Sequence, residues 1–347
     1  MNNGKITDKL VTLLFIICAV IFVAYPMHSG YIFSGSDMQF HLSRIYEIKN
    51  GLEHLKYPWV SFLTFNKIGY AINSFYPNGS LLVFIPLFIL IKNPVTAYYT
   101  FMGTLFLGGE LISYFSYKQL AESKSQAILF TILYMTSGYM FFVYWYAFEL
   151  GEILAFIILP LWILSLLSWK DNSPVLGSIK ENKVLFLVIS LVWITYSHVL
   201  TALCCIFITG FYLIYLLVLN KNKLKFIYNV LISGIIYLLA SSFFVVSLLT
   251  SFVGQKVIGP DRWFTVSDFK SLIINSLDTP INPGNSLPVA HSATLGLLIE
   301  VSFGILLVLL CSFRKQDLLT RDFVIIALFF LFISTLNFKN KLATGLK

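Results

Sequence analysis

Apolar runs, most of them long enough to cross a lipid bilayer, follow one another along this chain with short basic stretches between them. A crossing helix needs about 20 apolar residues, and on that scale the candidate spans are 10–25, 81–91, 95–117, 127–146, 153–169, 184–196, 199–219, 226–249, 295–313 and 323–336, about nine or ten crossings with 81–91 short for a full one. Composition agrees, since 58% of the residues are hydrophobic and 12% charged, where soluble domains have roughly 45–50% and 25%. Hydrocarbon offers the backbone no hydrogen-bond partners, so a spanning chain folds as helices or as a closed barrel. Runs of this length select helices. The expected fold is therefore all-α and polytopic, with residues 1–347 forming one transmembrane domain.

The formal net charge of +8 comes from Lys and Arg scattered in small groups rather than gathered into a patch. That distribution argues against nucleic-acid binding and for loops held inside by the positive-inside rule. Lys5 and Lys9, Lys170, Lys180 and Lys183, Lys221, Lys223 and Lys225, and Arg314, Lys315 and Arg321 are then cytoplasmic, as is the N-terminus. The segment 10–25 also suits a signal peptide, but "YPMHSG" after it offers no small-x-small cleavage site, so an uncleaved anchor is expected. A first outer loop at 26–80, a short turn around 148–151 and a second large loop at 250–294 fall on the outer side. Parity leaves one choice: if 81–91 and 95–117 both cross, the 148–151 turn lies inside, whereas the basic loop 170–183 beside it argues for outside. The segment 184–219 is long enough for a hairpin with its tip at "YSHVL", which brings His198 near the outer surface. All four cysteines lie in or beside apolar segments without metal-site spacing and read as buried or lipid-facing hydrophobes.

Within the first outer loop, "GSDMQFHLSRI" carries an acid, an imidazole and a guanidinium. Ser36 with Gln39 fits a capping box and Asn50-Gly51 a stop, so the spacing predicts a helix over 37–49. Met38, Leu42 and Ile45 make its apolar edge, and Asp37, His41 and Arg44 share an adjoining stripe. The simplest reading is an amphipathic helix lying on the membrane with that stripe in water. The aromatic-rich remainder of the loop, with Lys56 and Lys67, suits an interface equally well. Glu149 and Glu152 of "FELGEILAF" suit a helix N-terminus, where they complement the dipole. His198 is an ionisable group inside an apolar stretch and so a functional candidate. Asp261, Arg262, Asp278 and His291 read as surface-loop residues. Collected on one face, such groups have the chemistry to hold an anionic lipid head group and to deprotonate a hydroxyl, the acids as base and Arg or Lys as phosphate clamp.

The order "SGSDMQFHLSRIYEIKNGL", "YPWVSF...GYAINSFYPNGSLL", "AILFTILYMTSGYMFFVYWYAFELGEILAFIILPL" and "YSHVLTAL" resembles bacterial membrane proteins labelled YfhO-like, or "6-pyruvoyl-tetrahydropterin synthase related", which are similar to the GT-C superfamily of glycosyltransferases. The similarity covers residues 1–219 well and the rest loosely. It implies a cell-membrane enzyme that moves a sugar from a polyprenyl-phosphate donor to a cell-envelope glycan or polymer acceptor at the outer face. It assigns the catalytic acid of the first outer loop to Asp37 and a second acid to Glu152, with Glu149 beside it. His41, Arg44, Lys67 and His198 are the implied substrate-binding residues. Relatives carry an Arg in the stretch before "GE" where this chain has none, so a phosphate-binding cation has to come from elsewhere, Arg44 or Lys67. The family usually continues through further spans, which makes a missing C-terminal part an expectation.

Sugar transfer from a lipid phosphate is one inverting displacement at the anomeric carbon. It needs a base on the acceptor hydroxyl and positive charge on the departing phosphate. A partly desolvated carboxylate at the membrane boundary is a stronger base than one in water. Some superfamily members use a divalent metal, for which Asp37, His41 and Glu152 are conceivable ligands, although no spacing here is diagnostic. The alternatives are a transporter or flippase of lipid-linked envelope precursors and an inactive, truncated relative acting as a scaffold. The chain shows no repeat and concentrates its polar residues at one face, which favours chemistry there over passage. A single cysteine in place of Ser36, in a background without native cysteines, should react with an impermeant thiol reagent added outside; labelling only from the cytoplasm would overturn this orientation.

Overall fold

A computed structural model describes residues 2–32, 35–56, 60, 62–64, 67, 69, 71–120, 123–170, 175 and 177–253. The expected spans 295–313 and 323–336, nearly all of the 250–294 loop with Asp261, Arg262, Asp278 and His291, the basic group at 314–321 and Cys311 lie outside the described residues. The chain divides into two units, 1–136 with 143–256, and 137–142 with 257–347.

The elements are α1 (Asn2–His28), α2 (Met38–Glu53), three short helices α3 (Ile72–Phe75), α4 (Gly79–Leu82) and α5 (Ile85–Leu90), α6 (Pro94–Tyr117), α7 (Lys124–Met135), α8 (Gly138–Phe141) leading into a π-helical turn (Phe142–Ala147), α9 (Leu150–Phe156), α10 (Leu159–Leu167), α11 (Gly177–Glu181), α12 (Lys183–Thr195), α13 (Val199–Leu219) and α14 (Lys223–Phe252). Local chemistry sets several of the starts. Asn93 caps α6 by accepting from the Thr96 amide at 3.0 Å, with Pro94 in the first turn where its missing N–H costs nothing. Ser123 and Gln126 close a capping box on α7. In the second unit, α8 is a single turn whose Met140 amide donates to Ser137 Oγ.

In the first unit, α1 and α6 run antiparallel. Phe22 stacks on Phe106 at 4.1 Å, Phe15 meets Tyr114 edge-on at 5.7 Å, and Asp8 pairs with Lys118 at 2.8 Å and Lys124 at 3.2 Å. At the opposite end of the seam the Tyr99 hydroxyl donates to Tyr31 O at 2.8 Å. Lys118 and Lys124 thus sit at the same end as the start of α1. The 148–151 turn sits at the other end with the first loop, because the Asp37 amide donates to Ala147 O at 2.9 Å. The tip of the α12–α13 hairpin joins them, Ser80 Oγ donating to Tyr196 O at 3.0 Å.

Among the described residues, four helices are long and apolar enough to cross a membrane, Asp8–His28, Leu150–Leu167, Val199–Leu219 and Lys223–Ser251, or five if Lys124–Met135 with Gly138–Ala147 counts as one bent crossing. The chain is a multi-pass, all-α membrane protein, and lipid is its environment. Fewer segments qualify than the apolar runs suggested, for three physical reasons besides the undescribed end. The 81–91 run does not cross, since α4 and α5 are separate turns and the six residues of α5 rise only about 9 Å. The 184–196 run makes a helix of 13 residues. The 24 residues of α6 are long enough, at about 36 Å, but carry Tyr, Gly and Glu on buried faces and fall short in hydropathy. Within the bundle, 72% of Leu150–Leu167 is buried against 17% of Lys223–Ser251. The first is therefore a core element, and the second presents exposed Leu, Ile and Phe as lipid-facing residues do.

The first loop departs from its sequence reading. Helix α2 starts at Met38, with Asp37 as an N-cap that makes no side-chain cap bond, and it runs through Asn50-Gly51 to Glu53. Ser36 does not close the expected box, because its hydroxyl donates instead to Ala147 O at 3.1 Å. Two members of the stripe expected to face water are inside, His41 at 0% and Arg44 at 2% exposed, while Asp37 stays exposed. The Tyr76–Pro77 segment and Phe148 cover them, so α2 is a packed element of the first unit rather than a helix afloat on the membrane. Glu47, likewise buried, accepts from the Leu63 amide (2.9 Å), the Thr64 amide (2.7 Å) and Thr64 Oγ1 (2.8 Å), which fastens the loop to the helix. Glu47→Ala should cost this segment about 2 kcal/mol. The check is amide hydrogen exchange, which should accelerate at Leu63 and Thr64 while α6 keeps its protection.

Candidate functional site

The residues that bring this site together begin at Phe148. It holds a left-handed backbone (φ 55°), rare for an aromatic side chain, between the π-helical turn and α9. That corner places Glu149 at the N-cap of α9 and Glu152 in its first turn. The 35–37 segment lies along the same corner through Ser36 N to Tyr146 O (3.1 Å) and Asp37 N to Ala147 O (2.9 Å). Gly35 permits this, since a Cβ there would stand 2.7 Å from Phe148 Cβ. A second close approach occurs at Gly151, where a Cβ would meet Ser197 O at 2.9 Å, the Tyr76 hydroxyl at 3.0 Å and His198 Cδ2 at 3.4 Å. Glycine before Glu152 is thus what lets α9, Tyr76 and the hairpin tip converge.

Tyr76 is the common neighbour. Its ring lies 4.2 Å from the Arg44 guanidinium carbon and 5.8 Å from the His41 ring, and its hydroxyl is under the electrostatic influence of Arg44, Asp37, Glu149 and Glu152. Burial and those three carboxylates raise the phenol above its ordinary range, with Arg44 opposing. Arg44 donates through Nη2 to Pro77 O at 2.7 Å and through Nη1 to His41 Nδ1 at 3.3 Å. A guanidinium only donates, so Nδ1 accepts and the His41 proton sits on Nε2. Burial, reinforced by Arg44 and His198, holds His41 well below the usual imidazole range, in agreement with a neutral ring. Its Nε2 is buried without a hydrogen-bond partner among the described residues.

The acids line the more open side. Asp37 is exposed, yet partial burial lifts its carboxyl above the ordinary range while the Ser36 side chain pulls the other way. Glu149 is pushed up to about 7, first by burial, then by the Glu152 charge and the hydrogen bond the two share, and last by Asp37. His198 approaches Glu152 at 3.9 Å and bonds Thr201 Oγ1 through Nδ1 at 2.8 Å. Burial lowers His198 and Glu152 opposes that shift, so this ring too is neutral at pH 7.

The fold therefore gathers Asp37, His41, Arg44, Glu149, Glu152 and His198 from three stretches of chain. Lys67 is exposed, with its own left-handed backbone (φ 60°), and no hydrogen bond, ion pair or ring contact joins it to the cluster among the described residues. Arg44 is a buried brace under the acids rather than an open phosphate clamp. Tyr76, Phe148 and Gly151 were not singled out from sequence; "FYPNG" and "ELGE" carry them, but nothing local marks their convergence. Among the described residues, no three His, Cys, Asp or Glu side chains are placed to hold a metal ion. The set Asp37, His41 and Glu152 does not form one among them. Comparison of the chain with protein-family models, with curated proteins and with solved structures finds no match.

Glu149 gives the cluster a pH signature. Its raised value means that the neutral acid's contribution to stability is fully present below about 4.5 and is lost as pH rises through about 7. Wild-type melting temperature should fall across that window relative to Glu149→Gln, whose profile should be flatter. Parallel profiles would show that Glu149 is ionised throughout.

Proposed function

We propose that this protein is a membrane glycosyltransferase that takes a sugar from a polyprenyl-phosphate donor and passes it to a cell-envelope acceptor at the outer face. The observation that carries the reading is the cluster itself: one exposed carboxylate, two further carboxyls within hydrogen-bond reach of each other, and a buried guanidinium, at the end of the bundle opposite the Asp8, Lys118 and Lys124 group. Asp37 is the base. It is reachable from solvent and partly desolvated, which strengthens it as a base. It takes the proton of the acceptor hydroxyl as that oxygen bonds to the anomeric carbon and the bond to the lipid phosphate breaks. Glu152, beside His198, and Glu149, which carries a proton part of the time at pH 7, position the sugar hydroxyls. Arg44 contributes positive potential from beneath through Tyr76, and Lys67 is a surface cation for the phosphate.

Transport of a lipid-linked precursor is the second reading. It is favoured by Glu110, a buried acid of α6 within the bundle, since ionisable groups at membrane depth are common in transport pathways.

Asp37→Asn should reduce sugar transfer by on the order of 10²–10⁴-fold, the range for loss of a general base, with membrane insertion unchanged. The assay pairs transfer from a polyprenyl-phosphate sugar with the envelope glycan composition of cells carrying each form. Wild-type transfer by Asp37→Asn would sink the catalytic assignment. An unchanged glycan profile on removing the protein would favour transport.

A further inference from the structure

A second polar group lies away from the cluster, inside the α1–α6 seam. Glu110 is 4% exposed, and its Oε2 is buried without a hydrogen-bond partner among the described residues. Ser113, one turn on and on the same face of α6, is 0% exposed, and its hydroxyl is equally unpartnered among them. That is unusual for this protein. The buried hydroxyls of Thr131, Ser165, Ser190, Thr195 and Ser241 each donate to the carbonyl four residues earlier, which is what a hydroxyl in a membrane helix does when nothing else is offered. Tyr144, in the π-helical turn, is 1% exposed and its hydroxyl is also without a partner among the described residues. Its ring meets Phe22 at 5.6 Å and Phe106 at 6.1 Å, and Glu110 follows Phe106 by one turn.

The level of this group within the bundle follows from the antiparallel register. Phe22 opposes Phe106, and one turn along each helix Cys18 comes within electrostatic reach of Glu110. Cys18 is the central residue of the Asp8–His28 span. The groups facing Glu110 are Cys18 from α1 and Tyr144 from the π-helical turn, with Met135 of α7 and Ile157 packed at the neighbouring Gly109. None is a cation. Lys118 and Lys124 are engaged with Asp8, and Lys118 is two turns farther along α6, about 12 Å. An ionised carboxylate desolvated there with no counter-charge is strongly disfavoured, and such a group neutralises instead. None of these three buried oxygens is bonded to another, and buried polar atoms without a protein partner are commonly satisfied by bound water.

We propose that Glu110, Ser113 and Tyr144 form a proton-binding site at the middle of the bundle, in which Glu110 carries its proton as a carboxylic acid and bound water joins it to the two hydroxyls. The proton comes from solvent hydronium, which leaves water behind, and no other group changes state. The site stands independently of the transferase reading. Infrared spectra of the purified protein, in the Glu149→Gln background so that Glu149 does not contribute, provide the test. At pH 7 the parent should show an un-ionised carboxyl C=O band that moves down in D2O. Glu110→Gln should lose it by the intensity of one group per chain, and Tyr144→Phe and Ser113→Ala, which keep the acid, should shift its position. Unchanged intensity in Glu110→Gln would show that Glu110 is ionised and overturn the proposal. If Glu110→Gln does not fold, a band that stays fixed in both hydroxyl variants overturns it equally. A melting temperature raised by sodium or potassium chloride over choline chloride in the parent, but not in Glu110→Gln, would assign the site to a metal cation and reject the proton.

Discussion

The buried guanidinium of Arg44 is the interaction on which the site depends. Removing such a charge from water costs several kcal/mol, which good geometry has to offset. Here Pro77 O, the neutral His41 ring and the face of Tyr76 do so together. Each of these partners is fixed in turn: Pro77 and Tyr76 belong to the segment that closes over α2, and His41 has to be neutral for Nδ1 to accept. Arg44 thereby ties the first loop to the bundle and fixes the tautomer of the neighbouring imidazole. Exchanging it for lysine would keep the charge and lose both the fork and the stacking.

Above this brace, two deviations from regular helix set the positions of the acids. The π-helical turn and the left-handed Phe148 change the direction of the chain just before Glu149, and the turn at 35–37 uses the amides of Ser36 and Asp37 to reach the carbonyls so presented. Irregular backbone at membrane depth is tolerated where protein buries it and supplies partners. Here the irregularity and the acid cluster coincide. The Glu110 group obeys the opposite rule, since α6 is regular around it and its polar atoms have been left for a small occupant.

The sequence by itself determined the class of fold, the membrane environment and the approximate helices, because a bilayer imposes length and apolarity on each crossing segment. It also marked Asp37, Glu149, Glu152 and His198, since acids and imidazoles are conspicuous in a chain that has few. Tertiary structure decided what one-dimensional periodicity does not encode. Asp37, His41 and Arg44 form a helical stripe, and a stripe reads alike whether water or protein covers it; the cover is Tyr76, Pro77 and Phe148, which lie 32 to 107 residues away in the chain from the residues they touch. Ser36 followed by Gln39 satisfies a capping pattern, yet a carbonyl from residue 147 competes for the same hydroxyl and wins. Glu110 lies within the 95–117 run, and only the register of α1 on α6 sets it near Cys18 with Tyr144 beside it. Local spacing fixes which side chains share a face, and only long-range packing fixes what that face meets.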